Sequence, residues 1–213
     1  MTSEAFAASE NVSRETMARL GIYVDELKRW QQKINLVSPK SLEDVWRRHI
    51  QDSAQLYPHI PSGSKVLDLG SGAGFPGLVL AILGGLELHL VESDQRKSAF
   101  MREVARLTET RVHIYNERIE RLAPLAINFI TARAVSSLDQ LLELAQPFLT
   151  DEVQCLFLKG KSWQEELTAA KKNWKMRAEN IPSRSDPEGV ILKISEARRD
   201  HRDPDNQPTP GKK

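Results

Sequence analysis

The segment that most constrains this chain runs Val66-Leu67-Asp68-Leu69-Gly70-Ser71-Gly72-Ala73-Gly74-Phe75-Pro76-Gly77. A short apolar run of strand character enters a glycine-rich turn, and an apolar stretch with proline near its start leaves it: strand, loop, helix. Glycine accepts positive φ and has no Cβ, so this backbone can approach a ligand closely. The helix start adds unpaired amides facing the same place. A ligand site is therefore expected at the C-terminal end of a buried strand. The plainer alternative is a tight strand-to-helix turn and nothing more.

The rest of the chain from Lys65 fits such a strand. Short β-rich runs (VLDL from Val66, LELHLV from Leu86, RVHIY from Arg111, NFIT from Asn128 and VQCLFL from Val153) alternate with helical stretches near 76–83, 95–108, 137–149 and 162–173. That rhythm predicts parallel strands with right-handed crossovers, a doubly wound α/β layer. MRAEN and GVILKI read as a closing antiparallel pair. The last stretch, RRDHRDPDNQPTPGKK, is polar and proline-rich and reads as a disordered tail. Three parts are expected: a helical cap over 1–60, an α/β domain over 61–195 and a tail over 196–213.

The cap rests on periodicity. Met17, Leu20, Val24 and Leu27 recur at spacings of three and four, and Trp30 and Ile34 extend the stripe of an amphipathic helix from Ser13 to about Gln32. A second helix is expected after Pro39, with Ser41 as its cap, Asp44 as the capping-box acid, and Leu42, Val45, Trp46 and Ile50 on its inner face. With 30 basic and 29 acidic side chains the chain is near neutral, so any nucleic-acid contact has to be a local patch. The single cysteine, Cys155, excludes an internal disulfide and reads as a core residue. The run from Leu78 to Leu86 is too short for a bilayer span, and the first residues, MTSEAFAASENVSRE, lack the layout of a secretory signal. A cytoplasmic protein without membrane contact is expected, and nothing demands more than a monomer.

Two ligands fit the loop. Gly72 to Gly77 satisfies the spacing of a dinucleotide fingerprint, with Glu92 twenty residues beyond Gly72. S-adenosylmethionine is the other candidate, because Asp68 at the strand end can face its cationic amino group but would oppose a pyrophosphate. Glu92 suits either, since a carboxylate accepts two ribose hydroxyls.

Beyond the loop, several short motifs resemble the bacterial RsmG (GidB) methyltransferase family, which methylates N7 of a guanine in 16S ribosomal RNA. They are Lys33-Ile34-Asn35-Leu36-Val37-Ser38 after Trp30, Arg48-His49-Ile50-Gln51-Asp52-Ser53, Glu92-Ser93-Asp94, Arg118-Ile119-Glu120, Ala132-Arg133-Ala134 and Leu158-Lys159-Gly160. The resemblance spans most of the chain. It implies a class I S-adenosylmethionine methyltransferase, with a Rossmann-like, mostly parallel sheet and a C-terminal antiparallel strand beneath the helical cap. It implies cofactor contacts from Gly70 and Phe75, from Ile119 and Glu120 after the third strand, and from Arg133 after the fourth, with Glu92 on the ribose. Asp68 and Gly72 join this set from the loop reading.

Guanine N7 carries an in-plane lone pair, so its methylation needs no base. Alignment is the task. Arg133 or Lys159 can donate to the neighbouring O6. Asn35, Arg48, His49 and Asp52 come from the cap and can close over the same mouth, or form a structural hydrogen-bond cluster instead. Basic pairs at Lys28-Arg29, Arg47-Arg48, Arg96-Lys97 and Lys171-Lys172 offer phosphate contacts, and from Lys159 onward there are 13 basic against 9 acidic residues. Trp163 and Trp174 read as core rather than base-stacking residues. Two other functions stay open from the residues alone: a nicotinamide-dependent oxidoreductase, and an RNA-binding assembly factor with a vestigial cofactor site.

Overall fold

The computed structural model describes residues 1–133 and 135–200. Seven strands form one sheet: β1 (Lys65–Leu69), β2 (Glu87–Val91), β3 (His113–Tyr115), β4 (Phe129–Arg133), β5 (Gln154–Lys159), β6 (Trp174–Pro182) and β7 (Val190–Arg199). Their order is β3-β2-β1-β4-β5-β7-β6. The pairings among β1 to β5 are parallel, whereas β7 runs antiparallel to both β5 and β6. Every expected strand is present, and the closing pair is longer than expected. β7 continues to Arg199, past the expected domain end at 195, because it pairs with β6 as far as Trp174 opposite Arg199. Most of the expected tail, residues 201–213, lies outside the described residues.

Helices α5 (Gly77–Leu83), α6 (Gln95–Leu107), α7 (Leu138–Ala145) and α8 (Trp163–Ala170) make the crossovers. The sheet separates two apolar clusters. One face packs Leu78, Leu80, Phe100 and Met101 of α5 and α6, and the other packs Leu138, Leu141 and Leu142 of α7 around Leu67 and Ile130. Trp174 is buried at the sheet edge and its indole N–H donates to Asp139 Oδ1 at 3.1 Å, so it is a core residue. Cys155 is buried beneath α7, and burial pushes its thiol up to about 12.

The cap holds α1 (Ser3–Glu10) and α2 (Arg14–Gln31). Ser13 caps α2 by accepting from the Thr16 amide, and Leu20, Tyr23, Val24 and Leu27 are all buried on its inner face. These side chains belong to the same cluster as α5 and α6, so cap and sheet share a core. At about 1.5–3 kcal/mol for each large side chain removed from water, this stripe fixes the cap to the α/β layer. Helix α1, SEAFAASE, has no clear apolar periodicity. Phe6 anchors it, fully buried with its ring 5.7 Å from that of Trp46.

The second expected helix is broken. It consists of α3 (Pro39–Leu42), a π-helical turn at Trp46–Gln51 and α4 (Asp52–Ala54). Its cap is Ser38, which accepts from the Ser41 amide, and the Ser41 hydroxyl contacts His49 Nε2 at 2.9 Å instead of capping. Asp44 pairs with Arg47 at 2.6 Å and with the Met1 ammonium at 2.8 Å, so it closes no capping box. A π turn admits an extra residue into the helix and rotates the segment beyond it. Here the turn carries Arg48 and His49, and the segment beyond it begins with Asp52.

Candidate active site

The ends of β1, β2 and β4 open into a cavity of about 410 Å³ beneath the glycine loop. That volume suits a small-molecule ligand. Gly70, Gly72 and Gly74 take φ of +63°, +58° and +90°, a region closed to most side chains at low cost. Of the expected cofactor residues, Gly70, Gly72, Phe75, Glu92, Ile119, Glu120 and Arg133 all line this cavity. Ile119 and Glu120 sit on a 3₁₀ turn, Ile119–Arg121, which comes after β3.

Asp68 stands apart from this set. It is fully buried and does not line the cavity. Its Oδ1 accepts from the Thr131 hydroxyl at 2.9 Å and its Oδ2 from the Gly77 amide at 3.2 Å. The carboxylate thus ties the end of β1 to β4 and to the first turn of α5. Burial pushes its pKa up to about 6 against the opposing pull of these hydrogen bonds. From this position the carboxylate does not face the cavity, and other features carry the choice between S-adenosylmethionine and a dinucleotide.

Glu92 closes the other side of the loop. Its Oε2 accepts from the Gly72 amide at 2.9 Å and its Oε1 from the Asp94 amide at 2.7 Å. Each oxygen keeps a further lone pair, so the carboxylate is fixed in place and can still accept ribose hydroxyls. Leu36, Lys97 and Val135 also line the cavity, though none was singled out for it in the sequence. Nothing in their spacing marks them.

A second cavity of about 490 Å³ adjoins the first, and the two share Leu36 and Arg133. Arg48, His49, Asp52, Arg133 and Lys159, five of the expected substrate residues, line it. Asn35 does not. It is exposed in a separate groove with Asp94 and Arg96, because the turn that buries Leu36 directs its neighbour outward. Ser183 and Asp186, from the loop between β6 and β7, complete the second cavity. They are more than 120 residues from the cap side chains they meet, and no sequence pattern announces them.

Arg133 stands between the cavities. Its Nη1 donates to the Arg48 carbonyl at 3.0 Å and to Asp52 Oδ2 at 3.3 Å, and its guanidinium lies 4.8 Å from the Phe75 ring centroid. Phe75 in turn makes stacked contacts with Tyr23, at 5.1 Å, and with His49, at 4.8 Å. Burial, helped by the Arg133 and Arg48 charges, lowers the His49 pKa to about 3, so the ring is neutral at physiological pH. Its Nδ1 is buried without a hydrogen-bond partner among the described residues. Lys159 is nearly buried and donates to the Ser136 carbonyl at 2.7 Å and to Glu166 Oε2 at 2.8 Å. One of its three ammonium protons is left for a ligand.

Comparison with known proteins adds the family. The GidB family, described as rRNA small subunit methyltransferase G, matches residues 16–188. Two relatives carry the name ribosomal RNA small subunit methyltransferase G. The one from Paramagnetospirillum magneticum is 51% identical, over 96% of this chain and 100% of its own. The one from Rhodospirillum rubrum is 54% identical, over 93% and 100%. Among solved structures, a ribosomal protein L11 methylase from Lactobacillus delbrueckii subsp. bulgaricus superposes with a TM-score of 0.55 at 15% identity, covering 67% of this chain and 76% of that one. M. jannaschii TYW2 in complex with AdoMet gives 0.55 at 16%, covering 79% and 80%. These structures share the fold. The strand order, with β7 reversed, also departs from the 3-2-1-4-5-6 arrangement of the dinucleotide-binding fold. This is a methyltransferase fold, and the chain belongs to the GidB family of rRNA small subunit methyltransferase G proteins.

Proposed function

We propose that this protein transfers a methyl group from S-adenosylmethionine to N7 of a guanine in 16S ribosomal RNA. The observation that carries the reading is the pair of adjoining cavities divided by Arg133: one under the glycine loop for a cofactor, one walled by the cap for a base. When bound, S-adenosylmethionine supplies an electrophilic methyl group attached to a sulfonium. Gly70, Gly72 and Phe75 hold the loop against it, Glu92 accepts the ribose hydroxyls, and Ile119 with Glu120 flank the adenine.

The remaining work belongs to the second cavity. Guanine N7 presents its lone pair without losing a proton, so the chain needs a positioning device rather than a base. A His49 whose pKa is lowered to about 3 is a weak base, which fits that requirement. Lys159 and Arg133 donate toward O6, and His49, stacked on Phe75, walls the cavity beside them. Orientation of this kind supplies up to roughly 7–11 kcal/mol in favourable cases.

The basic side chains around the mouth serve the RNA backbone. Several are paired with acids at the surface, such as Arg48 with Asp186 at 2.9 Å and Lys161 with Glu188 at 3.6 Å. Exposed pairs of this kind are weak and exchange readily for phosphate. Among the described residues no helix is long and apolar enough to cross a membrane. We take the protein to act in the cytoplasm, where the small subunit is, and as a monomer, since both cavities are complete within one chain.

Labelled S-adenosylmethionine incubated with small subunits and with 16S RNA, each from cells lacking the enzyme, tests the proposal. Label at N7 of a single guanine is the expected result. Cofactor binding without transfer to either preparation would overturn the substrate and favour the assembly factor.

A further inference from the structure

The N-terminal end of β2 carries a cluster that methyl transfer does not use. Glu87 and His89 are two residues apart on β2, so they share a face of the sheet, and His113 is the register partner of His89 on β3. The two imidazole rings stack at 4.6 Å between centroids, 13° from parallel. His89 Nε2 lies 3.1 Å from Glu87 Oε1, and His113 Nε2 lies 3.9 Å from the same oxygen. The three ligand atoms fall within 4.8 Å of one another, the one such group among the described residues.

These distances suit a small d-block cation. Nitrogen and oxygen ligands at about 2.0–2.1 Å from tetrahedral zinc stand roughly 3.3 Å apart, so His89 Nε2 and Glu87 Oε1 already stand near ligand spacing, while His113 has to leave its stack on His89 and turn the in-plane lone pair of Nε2 toward the ion. That residue is exposed and free to turn, with a side-chain exposure of 58%. His89 is buried. Its other nitrogen, Nδ1, lies 3.0 Å from the Tyr115 hydroxyl, the kind of outer partner that fixes a ligating imidazole. Lys65 approaches the second carboxylate oxygen, Oε2, at 3.8 Å and leaves Oε1 facing the rings. Glu92, in the candidate active site, is five residues further along, about 16 Å at strand rise.

We propose that Glu87, His89 and His113 bind one divalent cation of the zinc class, with water completing the tetrahedron and the ion clamping the three-residue edge strand β3 to β2. The donor set of two imidazoles and a carboxylate selects zinc, cobalt or nickel over magnesium or calcium.

The test is calorimetric titration of untagged, chelator-treated full chain with zinc sulfate, together with the visible spectrum of the cobalt-loaded protein. One equivalent of zinc, a tetrahedral cobalt spectrum and a rise in Tm on loading are expected. His113→Ala and Glu87→Gln, both at solvent-exposed side chains, weaken zinc binding by more than about tenfold. They leave S-adenosylmethionine affinity unchanged, and His59→Ala, outside the cluster, binds zinc like the parent. Absence of zinc binding by the parent, or unaltered binding by both cluster variants, overturns the site.

Discussion

Arg133 and Asp52 join the two halves of the molecule at the point where the candidate cavities meet. The guanidinium at the end of β4 donates to the carboxylate from the helical cap at 3.3 Å, and both side chains are largely withdrawn from solvent, at 16% and 17% exposure. The Asp52 carboxylate is further held by the Ser185 hydroxyl and by Gln55 Nε2. The pair therefore couples the cap, the sheet and the β6–β7 loop.

Removing Arg133 strands a mostly buried carboxylate. Arg133→Ala is expected to lower stability by about 3 kcal/mol, toward the low end for breaking a buried pair. It is also expected to reduce kcat/KM by roughly a hundredfold through misplacement of the cap. Arg133→Lys keeps the charge but cannot span Asp52 and the Arg48 carbonyl in the same geometry, so it recovers stability more than activity. Urea denaturation and single-turnover methyl transfer measure the two effects separately, and a variant that loses neither would remove Arg133 from this role.

Two glycines give opposite expectations. A Cβ on Gly77 would lie 2.1 Å from Leu90 Cδ2 and 2.8 Å from Asp68 Oδ2, so Gly77→Ala should cost about 1–3 kcal/mol and loosen the brace under the loop. A Cβ on Gly21, inside α2, meets nothing within 4 Å, and Gly21→Ala should stabilise by about 0.5–1 kcal/mol. Thermal unfolding of both variants decides it: shifts of the same sign would contradict the packing described.

Gly72 separates binding from folding. Its added Cβ meets only the Gly70 carbonyl, at 3.8 Å, and the residue faces the cavity. Gly72→Arg should keep the fold, at the modest cost of a positive φ, while filling the space beneath the loop. Calorimetry is expected to show no measurable S-adenosylmethionine binding with circular dichroism unchanged, and retained affinity would move the ligand elsewhere.

His49 sets a pH dependence of known sign. Its pKa falls from an ordinary 6.5 to about 3 in the fold, so between these values the unfolded chain takes up a proton that the folded chain refuses. The stability this neutral ring contributes is complete above pH 6.5 and is lost as pH falls toward 3, by at most about 1.4 kcal/mol per pH unit. Asp68, whose pKa is raised to about 6, acts in the opposite direction, losing its contribution as pH rises from about 4 to 6. Comparing the parent with His49→Gln cancels that common part. The stability gap between them should narrow from pH 7 to pH 5 in urea titrations, and parallel curves would mean that His49 is not desolvated.

Much of the fold was legible because it rests on local pattern. The strand runs, the glycine loop and the α2 stripe each announce themselves within a dozen residues, and α2 starts beside Ser13 as the stripe predicts. The broken helix after Pro39 was not legible. Its Ser41 and Asp44 carry capping chemistry, but contacts with His49, Arg47 and Met1 claim them first. For the same reason Asn35 and Asp68 stand apart from the two cavities: residue type fixes what a side chain can do, and its neighbours fix where it points.

The sequence by itself determined the sheet, its glycine loop and the residue types available at the strand ends, because period, glycine content and chain order are local properties. Only the tertiary structure decided that Asp68 braces the loop from below, that Arg133 divides two cavities, and that Ser183 and Asp186 close the second one. Those relations join residues up to 138 positions apart. They depend on which way a buried side chain turns once packing and unsatisfied polar groups compete for the same space.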